Sequence, residues 1–390
     1  MCSYCMLTRV LWLKKHFFNV FLVILFTPYF LTAQPQAPAA VSGAVSIAEQ
    51  MQTLTVTQSS PQAIVNWESF AIGAQEKLEF IQPSAQATII NKVTGDLLSE
   101  INGTLQANGK VYLINPAGII IGKEGVVNTQ GFFAAAFALD AASLLQPEAI
   151  VCQAGENSRI VNLGLIETGG DIFLLAKELV NAGSITAAGS VNLIAADQLI
   201  LKPQNNEIAI LTDSSGSIDC QGSISALQCR LQAAGGNAYS LAINQDGIIE
   251  ALGFEEKDGQ ILLIAETGEV DVGGSLRAQT ADSGGKIHVL GDIIFLKNDS
   301  CIDVNGNSGG GEALIGGDYQ GGNPDIKNAQ KVFVAPEAFI CANALENGDG
   351  GKLIFWGDEL NVFYGRVEAK GGFFFRQRRF GGGFLSFKPG

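Results

Sequence analysis

Gly164-Leu-Ile-Glu-Thr-Gly-Gly170, Gly183-Ser-Ile-Thr-Ala-Ala-Gly189 and Gly222-Ser-Ile-Ser-Ala226 are three versions of one phrase. A glycine is followed by a spacer, an aliphatic residue, and then polar or small residues. The phrase returns at Gly247, Gly274 and Gly365, and its aliphatic position falls on Ile166, Ile185, Ile224, Ile249 and Leu276. The intervals amount to one or two lengths of roughly 20–27 residues, a solenoid period. Between these phrases lie strictly alternating runs, among them Asp171-Ile-Phe-Leu-Leu175, Ser190-Val-Asn-Leu-Ile194, Gln260-Ile-Leu-Leu-Ile264, Lys286-Ile-His-Val-Leu290 and Lys352-Leu-Ile-Phe-Trp356. Alternation at period two marks strands, with glycine and asparagine at the corners because both tolerate positive φ. No single unit can bury its apolar face alone, so the units must stack into a continuous core. The pattern predicts an all-β chain, a parallel β-helix of about 15 coils at roughly 22 residues each and ~4.8 Å of rise. The one stretch with helix formers, Gly131–Leu145, is expected to lie against the solenoid as a short helix.

Composition agrees. Of 390 residues, 47% are hydrophobic and only 16% charged, too apolar for a disordered chain. The 47 glycines show no G-X-Y period, which removes collagen. The formal net charge is −14, and a body that acidic repels nucleic acid and anionic lipid, so no nucleic-acid partner is expected.

The first 33 residues read as an export signal: basic Arg9, Lys14 and Lys15, an apolar run from Phe17 to Phe26, then Pro28 and small Thr32 and Ala33. The apolar run is too short to span a bilayer as a helix. Residues 34–40 read as a linker. Cys2 and Cys5 fall in the signal. The remaining five, Cys152, Cys220, Cys229, Cys301 and Cys341, form no CxxC and read as core residues, with a Cys220–Cys229 bridge left open.

Residues 41–145 carry a more specific pattern: Asn66-Trp67 with Ser69-Phe70, Asn91-Lys92-Val93-Thr94-Gly95, Ile101-Asn102-Gly103, Asn108-Gly109, and Asn115-Pro116-Ala117-Gly118-Ile119. Several blocks in this fixed order resemble the secretion domain of filamentous haemagglutinin-like exoproteins, the passengers of two-partner secretion. The resemblance implies a right-handed parallel β-helix with an N-terminal cap, recognised by an Omp85-type outer-membrane transporter with POTRA domains. It also implies a secreted or cell-surface location in a Gram-negative bacterium, reached through the periplasm, with no cofactor and no enzymatic activity. A host-surface receptor or glycan would be the partner of an adhesin of this kind. Asn66, Asn91, Asn115, Pro116 and Gly118 become candidates for transporter recognition or fold nucleation. Asn115–Gly118 also reads as a turn from first principles: Pro116 fixes φ, Gly118 supplies an unusual dihedral, and Asn115 can bond its own backbone. The family's turn often has a second asparagine where this chain has Ala117. Residues 41–60, with Leu54 and Val56 alternating with polar partners, are expected to cap the first coil. Residues 146–372 continue the repeats. The tail 373–390 carries four basic residues and no acid, and is expected to be a truncated or frame-shifted end, or a cap.

Chemistry of other kinds finds little support. Gly118-Ile-Ile-Ile-Gly-Lys-Glu124 is one residue short of a P-loop and has Glu124 where Ser or Thr must hold the metal. Asp303-Val-Asn-Gly-Asn307 lacks the later ligands of a calcium loop, with Leu314 at the twelfth position. The alternative function is a carbohydrate-active β-helix enzyme, which needs convergent acids. The acids here are scattered singly through turns apart from Glu255-Glu256 with Asp258, which reads as a solvated loop, and His288 faces outward from its strand between Ile287 and Val289.

Overall fold

The computed structural model describes residues 34–202, 207–211, 213–253, 259–372 and 384–387. The expected export signal lies outside these residues, as does all of the tail except the strand Phe384–Phe387. The described chain is almost entirely short strands, with 3-10 turns at Ala141–Leu145 and Tyr319–Gly321. They stack into three long sheets. The first face has thirteen strands, from Ala39–Ser42 to Phe384–Phe387. The second has thirteen, from Val45–Gln50 to Arg366–Glu368, and the third ten, from Ser99–Ile101 to Gly357–Phe363. One circuit visits the first, third and second faces in turn: Ile172–Ala176, Glu178–Asn181, Ser184–Ala187, then Ser190–Ala195 one coil further on. This is a right-handed parallel β-helix.

The recurring phrase is the second face. Its aliphatic residue pairs level by level with the next: Ile166 with Ile185, Ile224, Ile249, Leu276, Ile302 and Ile340. The same column extends back through Val127, Leu105 and Leu78 to Leu54, and every member is buried. The alternating companion runs are the first face. Thirteen strands in each of the first two faces, cap included, and ten in the third are fewer than the 15 coils expected.

Two features differ from the sequence expectation. The glycines that open the phrase, Gly183, Gly222, Gly247 and Gly274, have no positive φ. A Cβ on each would instead strike the carbonyl oxygen of the glycine one coil earlier. Glycine is required there by backbone stacking, not by dihedral freedom. The expected helix is likewise absent. Gly131–Ala135 is a first-face strand buried on both sides, and only Ala141–Leu145 makes a 3-10 turn. An apolar run covered on both faces shows no alternation, so its period cannot separate strand from helix.

The cover on the outer side is an insert. Ile150–Gln153, Gln198–Lys202 and Glu207–Ile210 form a three-stranded antiparallel sheet. With Leu139, Leu144, Cys152 and Leu199, it packs over Ile114, Ala135, Leu175 and Ile194 as a second apolar cluster outside the coil interior.

The N-terminal cap starts earlier than expected. Val45–Gln50 pairs antiparallel with Thr53–Gln58, whose buried Leu54 and Val56 stack on Leu78 and Phe80. Ala39–Ser42 pairs antiparallel with Gln62–Trp67, and Gln36 bridges to Ser69, so the stretch expected as a linker is tied down. The antiparallel strands cover the first coil's edge, which would otherwise template pairing with another chain. The five described cysteines are all free, which closes the open Cys220–Cys229 question. Burial pushes the thiols of Cys152, Cys220 and Cys341 up to about 12.

Candidate functional site

The first-face strand Lys110–Ile114 runs into the corner Asn115–Gly118 before the third-face strand Ile119–Ile121. Asn115 is fully buried and uses both ends of its amide. Its Oδ1 accepts from the Ala117 N–H at 3.0 Å, and its carbonyl accepts from the Gly118 N–H at 3.0 Å. Its Nδ2 donates to the Leu97 carbonyl at 2.9 Å and to Ser99 Oγ at 2.9 Å. Gly118, at φ +110°, is where the chain turns, and its carbonyl accepts from the Ser99 N–H at 3.0 Å. Pro116 sits half-buried at the second turn position, where its fixed φ suits the bend. The corner is thus clamped to the preceding coil at Leu97 and Ser99. Beside that clamp, Leu97 and Leu98 are 68% and 39% exposed.

Asn91 is also fully buried, but inside the coil. It accepts from Trp67 Nε1 at 3.0 Å and donates to the Tyr112 carbonyl at 3.2 Å, bridging three successive first-face strands. Trp67 in turn meets Phe70 edge-on at 5.8 Å. A buried indole N–H needs an acceptor, and Asn91 supplies it. Asn66 belongs to neither group. Val65 pairs with Asn91, so Asn66 points the opposite way, half-buried on the outer side, its backbone between Ala39 of the cap and Lys92. The structure therefore brings Asn115, Pro116 and Gly118 together and separates them from Asn91 and Asn66. Ser99 and Leu97 were missed by sequence reasoning, as was the contact of Trp67 with Asn91. Only the register of the coils places them against the asparagines, and no local pattern marks them.

Further asparagines form interior ladders. Asn162 Nδ2 donates to Asn181 Oδ1 at 2.8 Å one coil on, and Asn181 Nδ2 reaches Cys220 Sγ at 3.7 Å on the next. His288 lies on the outer side of the first face, with Nε2 3.0 Å from Glu312 Oε1. Among the described residues no group of three or more His, Cys, Asp and Glu is placed to hold a metal ion.

A capped parallel β-helix with a clamped Asn-Pro-x-Gly corner in its early coils defines the class: a secretion domain. The family model described as "TPS secretion domain" matches residues 31–310, and the chain belongs to that two-partner secretion family. The crystal structure of the HMW1 secretion domain from Haemophilus influenzae superposes with a TM-score of 0.79. It shares 28% identity and covers 90% of this chain and 94% of that one. Two heme/hemopexin-binding proteins of Haemophilus influenzae are similar in sequence. One is 28% identical over 272 residues and the other 27% over 282, spanning 64% and 65% of this chain. The chain spans about 30% of the length of either relative.

Proposed function

We propose that this chain is the exported N-terminal β-helix of an adhesin-type exoprotein. A dedicated Omp85-type transporter bearing POTRA domains would carry it from the periplasm across the outer membrane. The reading rests on family membership and on one observation: buried Asn115 clamps the corner to Leu97, beside the solvent-facing leucines Leu97 and Leu98. In this reading Asn91 serves nucleation, because its side chain is sealed in the core and ties three strands together. Asn115, Pro116 and Gly118 shape the surface that the transporter reads, with Asn66 near the cap. Domain limits follow the same logic: a signal over 1–33, the recognition region over the cap and early coils to about residue 145, and a repeating remainder. The repeats suit vectorial export, since each emerging coil pairs with the one already folded.

The protein is read as non-enzymatic. The resemblance to heme/hemopexin-binding proteins is carried by the secretion domain and is a weak guide to cargo. Leu97→Asp tests the recognition surface. It should leave unfolding unchanged and reduce export, whereas unchanged export would remove this surface from recognition.

A further inference from the structure

A second feature has no part in export as read above. On the outer side of the first face, two columns of side chains run along the solenoid axis. One is Lys110, Gly131, Asp171 and Ser190, with Lys110 and Gly131 paired in register and Ser190 hydrogen-bonded to Asp171; the other is Tyr112, Phe133, Phe173, Asn192 and Arg230, each residue paired in register with the next coil. Between them is a groove in two adjoining segments of about 160 and 250 Å³ that share Asp171 and Phe173. Its floor at one end is the rim of the second apolar cluster, where half-buried Tyr112 and Phe173 flank buried Phe133, with Tyr112 and Phe133 stacked at 4.8 Å and Phe133 and Phe173 at 6.4 Å. Gly131 opens it by adding no side chain.

The polar groups are arranged as fixed donors and acceptors. Asp171 Oδ1 is held by the Ser190 N–H and Oγ, both at 2.8 Å, and Asn192 Nδ2 donates to that same Oγ at 3.1 Å, which leaves Asn192 Oδ1 as an acceptor. Arg230, the next residue in the column, has a buried Nε with no hydrogen-bond partner among the described residues. Arg230 lines the second segment, and the terminal N–H groups of its guanidinium are the donors that a ligand in the groove can meet.

We infer that this groove binds a linear neutral oligosaccharide lying along the solenoid axis. Sugar rings present apolar C–H faces, which suit Phe173 and Leu262, and hydroxyls that both donate and accept, which suit Asp171, Asn192 and Arg230 together. The groove repeats once per coil, about 4.8 Å, a rise comparable with the length of one pyranose unit in a linear chain. The chain's net charge of −14 disfavours an acidic polysaccharide. Among the described residues Asp171 is the one acid lining the groove, which therefore offers no carboxylate pair for glycoside cleavage there, and the inferred role is binding.

The test uses the purified folded chain and needs no transporter, so its outcome is separate from the export reading. Saturation-transfer NMR and calorimetry are run with malto-, cello- and manno-oligosaccharides of one to five units, with heparin as an anionic control. At least one neutral series should bind, with affinity rising with length. Arg230→Gln should lower affinity roughly tenfold, the scale of one lost charge-assisted hydrogen bond. Phe173→Leu should lower it as well, whereas Phe295→Leu on the third face should not. Either groove variant suffices if the other fails to fold. No binding of any neutral series at millimolar concentration, binding of heparin alone, affinity independent of length, or affinity unmoved in a folded groove variant would each overturn the inference.

Discussion

Asn115→Ala removes three side-chain hydrogen bonds at once: to the Leu97 carbonyl, to Ser99 Oγ and from the Ala117 N–H. Ser99 is as fully buried as Asn115, so water does not replace its partner in the unchanged fold. A stranded buried polar group costs about 1–3 kcal/mol. Local relaxation will let the Ala117 N–H and the Leu97 carbonyl reach water, so the low end of that range applies to those two, and with Ser99 the sum comes to about 3–5 kcal/mol. Urea unfolding by far-UV circular dichroism should show a lower midpoint at unchanged slope. Hydrogen exchange should locate the loss, with faster exchange at the Ser99 and Ala117 amides. Pro116→Ala is the control: Pro116 is half-buried with no N–H to lose, and only the unfolded-state entropy changes, about 0.4–1 kcal/mol. An Asn115→Ala effect below about 1 kcal/mol, or no change in exchange at Ser99, would refute the clamp.

Other expectations follow from the same geometry. Gly222→Ala places a Cβ against the Gly183 carbonyl at an ordinary φ, so it should destabilise by overpacking, about 1–3 kcal/mol in thermal unfolding. Burial first, and hydrogen bonding to Asp271 second, hold the Glu269 carboxyl up at about 7. A raised folded pKa means ionisation opposes folding. This stabilising contribution is complete below the ordinary carboxylate range and is lost as pH rises through about 7, so Glu269→Gln should gain in Tm over wild type at pH 8 but not at pH 4. The sealed thiols of Cys152, Cys220 and Cys229 should resist iodoacetamide in the native protein, with half-buried Cys301 reacting first, as read by peptide mass mapping.

Much of the fold was legible because the solenoid writes its register into the chain. The aliphatic position that recurs from Ile166 to Leu276 is one stacked column, and the alternating runs are a second sheet. The third face was harder to see. Its strands, such as Arg159–Asn162 and Glu178–Asn181, are short and are bounded by the same corner residues as the others. Gly131–Ala135 was misread because the insert buries its outer side, and the insert strands come from segments remote in sequence. The glycine columns were found for the wrong reason, since close backbone approach between coils leaves no trace that differs from a turn glycine. Of the candidate site, the Asn115 turn was readable locally. The clamp to Leu97 and Ser99, and the indole that Asn91 serves, depend on coil-to-coil register alone.

Export is the central claim, and co-expression tests it most directly: the full chain is produced in a Gram-negative host with and without a two-partner outer-membrane transporter, beside Leu97→Asp. The account predicts folded, protease-resistant protein in the medium only when the transporter is present, and less of it for the variant. Wild-type protein in the medium without the transporter, or its retention in the periplasm with the cognate transporter present, would contradict it.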